Sequence, residues 1–214
     1  MATTKVDVNL IGATGTPGSG NFLRGDGSWQ AAGGAWNFIS STDISDAASF
    51  NFTAVDASSY DAYQMVLMNV IPATDDVAVL LTTSTDGGSS YDTGASDYSY
   101  TAAIERTGAY LYDYHDAAHT SMLITGHNAS TYSDVGSAAG EDGMSGTINV
   151  WSPHLAKRTK FTWMINYDNA EGQPGFVVGS GTRLSSADVD AWKFAFASGN
   201  IESGTISVYG LANS

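Results

Sequence analysis

From about residue 36 onward the chain consists of short stretches in which apolar and polar residues alternate, or in which a brief apolar run is closed by Gly, Asp, Asn or Ser. A period of two places successive side chains on opposite faces of a strand, so this pattern restricts the fold more than any other feature does. Residues 49–55, 63–70, 77–83, 98–102, 109–114, 121–124, 146–151, 160–167, 175–179, 191–196 and 204–210 all read as strands rich in β-branched and aromatic residues. No window holds a 3.6-residue period with caps, and 185–190 offers a helical turn in a loop at most. Many short strands at close spacing predict an all-β domain over 36–214, an antiparallel β-sandwich of jelly-roll type. No internal repeat supports a propeller or a solenoid.

Composition narrows the function classes. Of 214 residues, 43% are hydrophobic, enough for a packed core, while only 14% are charged, against about a quarter in an average globular domain. Eight Lys and Arg against 22 Asp and Glu leave a net charge of −14. Such a chain is ill suited to neutralising phosphates, which predicts no nucleic-acid partner and no attraction to an anionic membrane. No apolar run approaches bilayer length, so membrane insertion is not expected. With no cysteine, disulfides, thiolate metal sites and cysteine nucleophiles are excluded. Residues 1–5 lack the apolar core of a secretory signal, which predicts assembly in a cytosol.

Residues 1–35 have a different texture. Glycines are dense from Gly12 to Gly34; the bulky residues Leu10 and Ile11 come just before them, and Phe22, Leu23 and Trp29 stand among them. So much glycine opposes a helix or a long strand. The segment reads as an extended Gly-rich N-terminal arm that buries a few anchors against another protein. Arg24-Gly25-Asp26 occurs in integrin ligands, but inside this longer motif it reads as a turn or as a contact with a partner chain.

The decapeptide Gly20-Asn21-Phe22-Leu23-Arg24-Gly25-Asp26-Gly27-Ser28-Trp29 resembles a segment of tail-fibre and head-fibre proteins of tailed bacteriophages, where it precedes a distal β-rich domain. Two further stretches, 59–76 with its Pro72-Ala73-Thr74-Asp75-Asp76 end and the turn Ser84-Thr85-Asp86-Gly87-Gly88, are similar to a domain of phage fibre and decoration proteins. Such domains close on a strand like 204–211. The resemblance implies a virion appendage attached through Leu10, Ile11, Phe22, Leu23, Arg24, Asp26 and Trp29. It also implies capsid, portal or tail components as partners, a homotrimer, a location on the virion, and no catalytic residue. The residues themselves add local detail. Asp86-Gly87-Gly88 supplies positive φ for a tight turn. Tyr60 and Tyr63 would cap the start of a strand with hydroxyls reaching solvent or backbone.

Candidate chemistry is sparse. Asp86, Asp92 and Asp97 lie in a loop with hydroxyls and glycines, a setting in which calcium could bind, but the order is not that of an EF-hand. Solvated loop acids are the alternative. His115-x3-His119 would juxtapose two ligands only on a helix, and the region reads as strand, so no metal site and no cofactor are assigned. Sequence spacing cannot place a carboxylate pair for glycan hydrolysis, and no nucleophile elbow or phosphate loop is present. Tyr110, Tyr112 and Tyr114 share one face of a strand, with His115 beside them. They suit a core or a subunit interface, with stacking on sugars as the alternative. The expected function is therefore a non-enzymatic short tail or head fibre that presents its β-domain to a host-surface polysaccharide. A decoration protein without a receptor role, a carbohydrate-binding module and a capsule-degrading enzyme are the alternatives.

Overall fold

The computed structural model describes residues 14, 21–25, 27–31, 35–106, 109–125 and 134–213, with backbone alone considered at 21, 22, 30, 31, 106 and 109–114. Among the described residues there is no helix, and the strands form antiparallel sheets. The strands are β1 (Asn21–Leu23), β2 (Trp29–Ala31), β3 (Trp36–Ala47), β4 (Phe50–Phe52), β5 (Tyr60–Pro72), β6 (Val79–Ser84), β7 (Tyr98–Arg106), β8 (Ala109–His119), β9 (Met122–Thr125), β10 (Met144–Trp151), β11 (Lys160–Asp168), β12 (Pro174–Arg183), β13 (Ala191–Phe196) and β14 (Ile201–Ala212). Eight of them make one sheet in the order β3-β14-β5-β10-β11-β12-β7-β8, and four make a second, β4-β13-β6-β9. The chain passes repeatedly from one sheet to the other, so most neighbours within a sheet are distant in sequence.

The buried faces of the two sheets meet in one core. Strand β11 shows how alternation builds it. Phe161, Trp163, Ile165 and Tyr167 are buried, and Lys160, Met164 and Asn166 between them are exposed. On β5, Tyr63, Met65 and Leu67 face the core in the same way. Within the smaller sheet Trp192 of β13 stacks on its register partner Phe52 of β4 at 4.7 Å between centroids, and across the sheets it meets Tyr63 of β5 edge-on at 5.4 Å. Its indole Nε1 donates to the Met65 sulfur at 3.1 Å. Fully burying an aromatic of this size is worth on the order of 2–3 kcal/mol, so this cluster is a major contributor to cohesion between the sheets.

Large rings need room, and β12 supplies it. In register with β11, Gly179 lies opposite Trp163 and Gly175 opposite Tyr167. A Cβ at Gly179 would fall 2.4 Å from the Trp163 ring, and one at Gly175 would fall 2.7 Å from the Tyr167 ring. Gly181 makes space for Met122 of β9. The glycines on the inner face of β12 are therefore seats for side chains of neighbouring strands.

Loops are organised by short polar side chains. After β6, Gly87 and Gly88 take φ of 71° and 83°, as the Asp-Gly-Gly sequence predicts. Ser84 Oγ donates to Asp86 and accepts the Gly88 N–H. The Tyr63 hydroxyl accepts the Asp56 N–H at 2.6 Å, so the expected cap at the start of β5 is present, and the Tyr60 ring lies 5.8 Å from that of Tyr63. Arg183 at the end of β12 donates through Nε to Asp92 at 2.8 Å, tying the loop before β7 to the sheet.

Within residues 1–35 the described part folds back on itself. Phe22 pairs with Gln30 and Leu23 with Trp29. Arg24 N–H donates to Ser28 O at 2.8 Å, Gly27 N–H to Arg24 O at 2.9 Å, and Gly27 has φ of 80°. Arg24 and Gly25 of the Arg-Gly-Asp stretch, with Gly27, thus belong to the turn of a β1–β2 hairpin. Thr14 adds a parallel bridge to Ser28.

Candidate ligand-binding groove

Along the outer face of the large sheet, backbone register aligns one residue from each of the eight strands. At one end Phe38 lies opposite Tyr209, and their rings meet edge-on at 5.7 Å. Tyr209 is opposite Gln64, which is opposite Asn149. The row continues through Thr162, Ser180 and Thr101 and ends at His115. One step along the strands, a second row runs Trp151, Lys160, Thr182, Ser99. Where the two rows cross β10, β11, β12, β7 and β8 they line a groove of about 700 Å³, with Asp116 beside His115 at its far end. That volume lies within the usual range for a small-ligand site.

The groove is lined by a run of Ser and Thr residues and bounded at one end by the Trp151 ring. Trp151 is 40% exposed, yet its orientation is held: the indole Nε1 donates to Thr162 Oγ1 at 3.1 Å. Thr162 also accepts from Asn149 Nδ2 at 3.4 Å, and Gln64 Nε2 donates to Asn149 Oδ1 at 2.9 Å. This chain of bonds links four side chains on three strands, from β5 through β10 to β11 and back to β10, and fixes side chains that would otherwise rotate freely. Ser99 Oγ donates to Asp116 O at 3.0 Å, which anchors β8 where its pairing with β7 slips in register. Thr182 Oγ1 donates to Thr159 O at 3.1 Å. Ser180 and Thr101, both solvent-facing, keep their hydroxyls for water or a ligand.

The sequence-derived site residues fall in different places. His115 of the tyrosine group lies at the end of this groove. Tyr110, Tyr112 and Tyr114 stand on β8, and their side chains lie outside the described residues. Register pairs Tyr112 with Ile104 and Tyr114 with Ala102, both buried, whereas His115 pairs with exposed Thr101. Of the attachment set, Leu23, Arg24 and Trp29 come together at the β1–β2 turn. There Leu23 is exposed and Trp29 half-buried. Phe22 pairs through its backbone; its side chain, and Leu10, Ile11 and Asp26 entirely, lie outside the described residues.

The loop acids are engaged separately. Asp86 binds Ser90 through both its hydroxyl and its N–H, and accepts from Ser84, bonds that hold its carboxyl down at about 2. Asp92 pairs with Arg183, and Asp97 accepts the Gly94 N–H. Asp75 and Asp76 accept the N–H groups of Ser137 and Asp134. Burial, with a smaller push from the Asp76 charge, raises Asp134 to about 7. Among the described residues no three His, Asp or Glu side chains are grouped to hold a metal ion.

Trp151, Lys160, Thr162, Ser180, Thr182, Ser99 and Thr101 were not singled out as site residues by the sequence. A signal for them exists. Three strands each carry a hydroxyl or Lys–Thr pair two residues apart (99 and 101, 160 and 162, 180 and 182), which places both members on one outward face. Compared with known proteins, the chain matches no protein-family model, no curated protein and no solved structure.

Proposed function

We propose that the chain is a non-enzymatic virion appendage protein of a tailed bacteriophage, a short tail or head fibre that grips a host-surface glycan in the outer groove of its large sheet. The groove carries this reading. An exposed indole locked in one orientation offers a flat apolar face to a sugar ring, and the unengaged hydroxyls of Ser180 and Thr101 in the row beside it exchange hydrogen bonds with sugar hydroxyls. Locking the ring and the amide chain beforehand lowers the ordering cost of binding. Among the described lining residues Asp116 is the one carboxylate, whereas glycoside hydrolysis uses a pair; binding without cleavage fits this lining better.

The phage assignment rests on the GNFLRGDGSW decapeptide, and the tight β1–β2 turn gives that motif a structural reason to keep its Gly27. In this reading residues 1–35 attach the protein to capsid, portal or tail components, and residues 36–214 form a sandwich of jelly-roll type. The protein assembles as a homotrimer. Met68, Met164, Phe176 and Val178 support assembly: all are large, exposed and apolar, and they lie on adjacent rows of the outer face next to the groove. An uncovered apolar patch of this kind marks an interaction surface. Covering it with a neighbouring copy would leave the groove at the rim of the interface.

The test is binding of the purified protein to host cells and to their isolated surface polysaccharides, beside a Ser180→Trp variant whose added ring fills the groove. Saturable binding by the parent and loss in the variant is the expected result. A folded parent that binds no cell and no polysaccharide overturns the adhesion reading in favour of a decoration protein. Deleting residues 1–35 is expected to abolish incorporation into particles, and normal incorporation would refute the attachment role.

A further inference from the structure

We infer that the groove selects an acidic polysaccharide, one bearing carboxylates on its sugar rings, and that Lys157, Arg158 and Lys160 form the subsite for the acid group. This inference rests on the glycan-binding reading of the same groove. Three of the eight cationic residues in a chain with 22 acids fall within four positions, 157–160. They are placed against the Trp151 indole. Lys160 is directly opposite Trp151 in the β10–β11 pair, a relation that brings Cβ atoms to about 4.5–5.5 Å. On the other side of Trp151 a smaller hollow of about 200 Å³ is lined by Leu155, Lys157 and Arg158, and Lys160 borders both hollows. Trp151 is therefore the wall between a hydroxyl-lined groove and a basic hollow.

All three cations are exposed, and among the described residues none is ion-paired. Elsewhere the protein does use its cations: Arg183 is paired with Asp92, and Lys193 lies 4.8 Å over the Tyr91 ring. Three unpaired cations on a strongly acidic protein form a local positive region in a repelling surround, which favours an anionic group at that point and rejects it elsewhere. Asp116 closes the opposite end of the groove, three strand spacings or about 14 Å from the Lys160 strand. A bound chain would stack one ring on Trp151, direct its carboxylate to residues 157–160, and lay its neutral hydroxyls along Thr162, Ser180 and Thr101. A nucleic acid fits less well, because its charge repeats along the whole backbone and would meet Asp116.

The experiment screens the full chain against immobilised polyuronate and polysialate, with dextran, mannan and poly-dT as comparisons, at low and high salt. Two variants accompany it: Lys157→Gln/Arg158→Gln/Lys160→Gln and Trp151→Ala, each checked for a parental melting profile. Support is saturable binding to an acidic polysaccharide that falls by roughly tenfold or more in each variant and weakens with salt. Binding to dextran or mannan that ignores the triple substitution would overturn the acid subsite while leaving the glycan reading intact. Binding to polyuronate or polysialate that survives Trp151→Ala, or poly-dT bound as well as either, would overturn it in favour of ion exchange or nucleic-acid capture. No binding to any polymer would overturn both readings.

Discussion

The Trp163 indole on β11 occupies the space that a side chain at Gly179, its partner on β12, would need. A Cβ there would fall 2.4 Å from the ring and 2.7 Å from the Ala102 Cβ on the next strand, β7. Neither neighbour is a flexible tip that can swing away. Gly179→Ala is therefore expected to destabilise the fold by about 1–3 kcal/mol, the usual cost of overpacking. A lowered urea midpoint with an unchanged slope would show it.

Arg183 holds Asp92 from a buried position. Its guanidinium has 7% of its side-chain surface exposed, against 28% for the carboxylate. Removing the cation strands a half-buried acid and frees the loop before β7. Arg183→Ala is expected to cost about 2–4 kcal/mol, near the lower end for breaking a buried pair because Asp92 retains some contact with water. Arg183→Met, which keeps the packing but not the charge, should recover little of that loss in thermal melts.

Asp134 gives the fold a pH dependence of unusual sign. Folded, it keeps its proton up to about pH 7 because burial disfavours the charge; unfolded, it loses that proton near pH 4. Between those values unfolding releases a proton, so this group lowers stability as pH rises and its penalty is complete above about pH 7. Asp134→Asn is expected to melt higher than the parent at about pH 8 and to match it near pH 4. Asp76→Asn should shift the titration of Asp134 downward, by removing the lesser of its two causes, and NMR of the carboxyl carbon would follow both.

Assembly can be tested on the outer face. Met164 and Val178 are directly opposed across β11 and β12, and they are 55% and 47% exposed. Charges at both, Met164→Glu with Val178→Glu, should leave the melting profile within about 0.5–1 kcal/mol, as exposed substitutions do. They should also shift the mass by light scattering from oligomer to monomer. A parent that is already monomeric would remove the trimer from the proposal.

Much of the β-structure was legible. Each of the eleven stretches read from alternation contains a strand, because a half-buried strand must write its two environments into consecutive residues. Strand β3 escaped that reading for a physical reason. It is an edge strand with one hydrogen-bonded neighbour, and Ile44 is its one buried residue among serines, threonine and aspartates. The β1–β2 hairpin escaped because glycines dilute its short strands, and its turn depends on a positive φ at Gly27. The groove was legible only in fragments. It exists because β12 lies between β11 and β7, and that adjacency comes from pairing residues about 80 apart in sequence. The tyrosines of β8 show the limit most clearly: their spacing puts them on one face, but which face depends on the register with Ile104 and Ala102.

Along either row of the groove floor each position belongs to a different strand, and on β10, β11, β12 and β7 the reverse side is core. Thr162 faces outward between Phe161 and Trp163, which face inward, and Ser180 does so between Gly179 and Gly181. A point change at an outward position alters a single subsite and leaves the interior untouched, while a change one residue away does the reverse. If the groove binds as proposed, recognition and folding are written on alternate letters of the same strands, so the binding surface could be revised one letter at a time without rebuilding the scaffold.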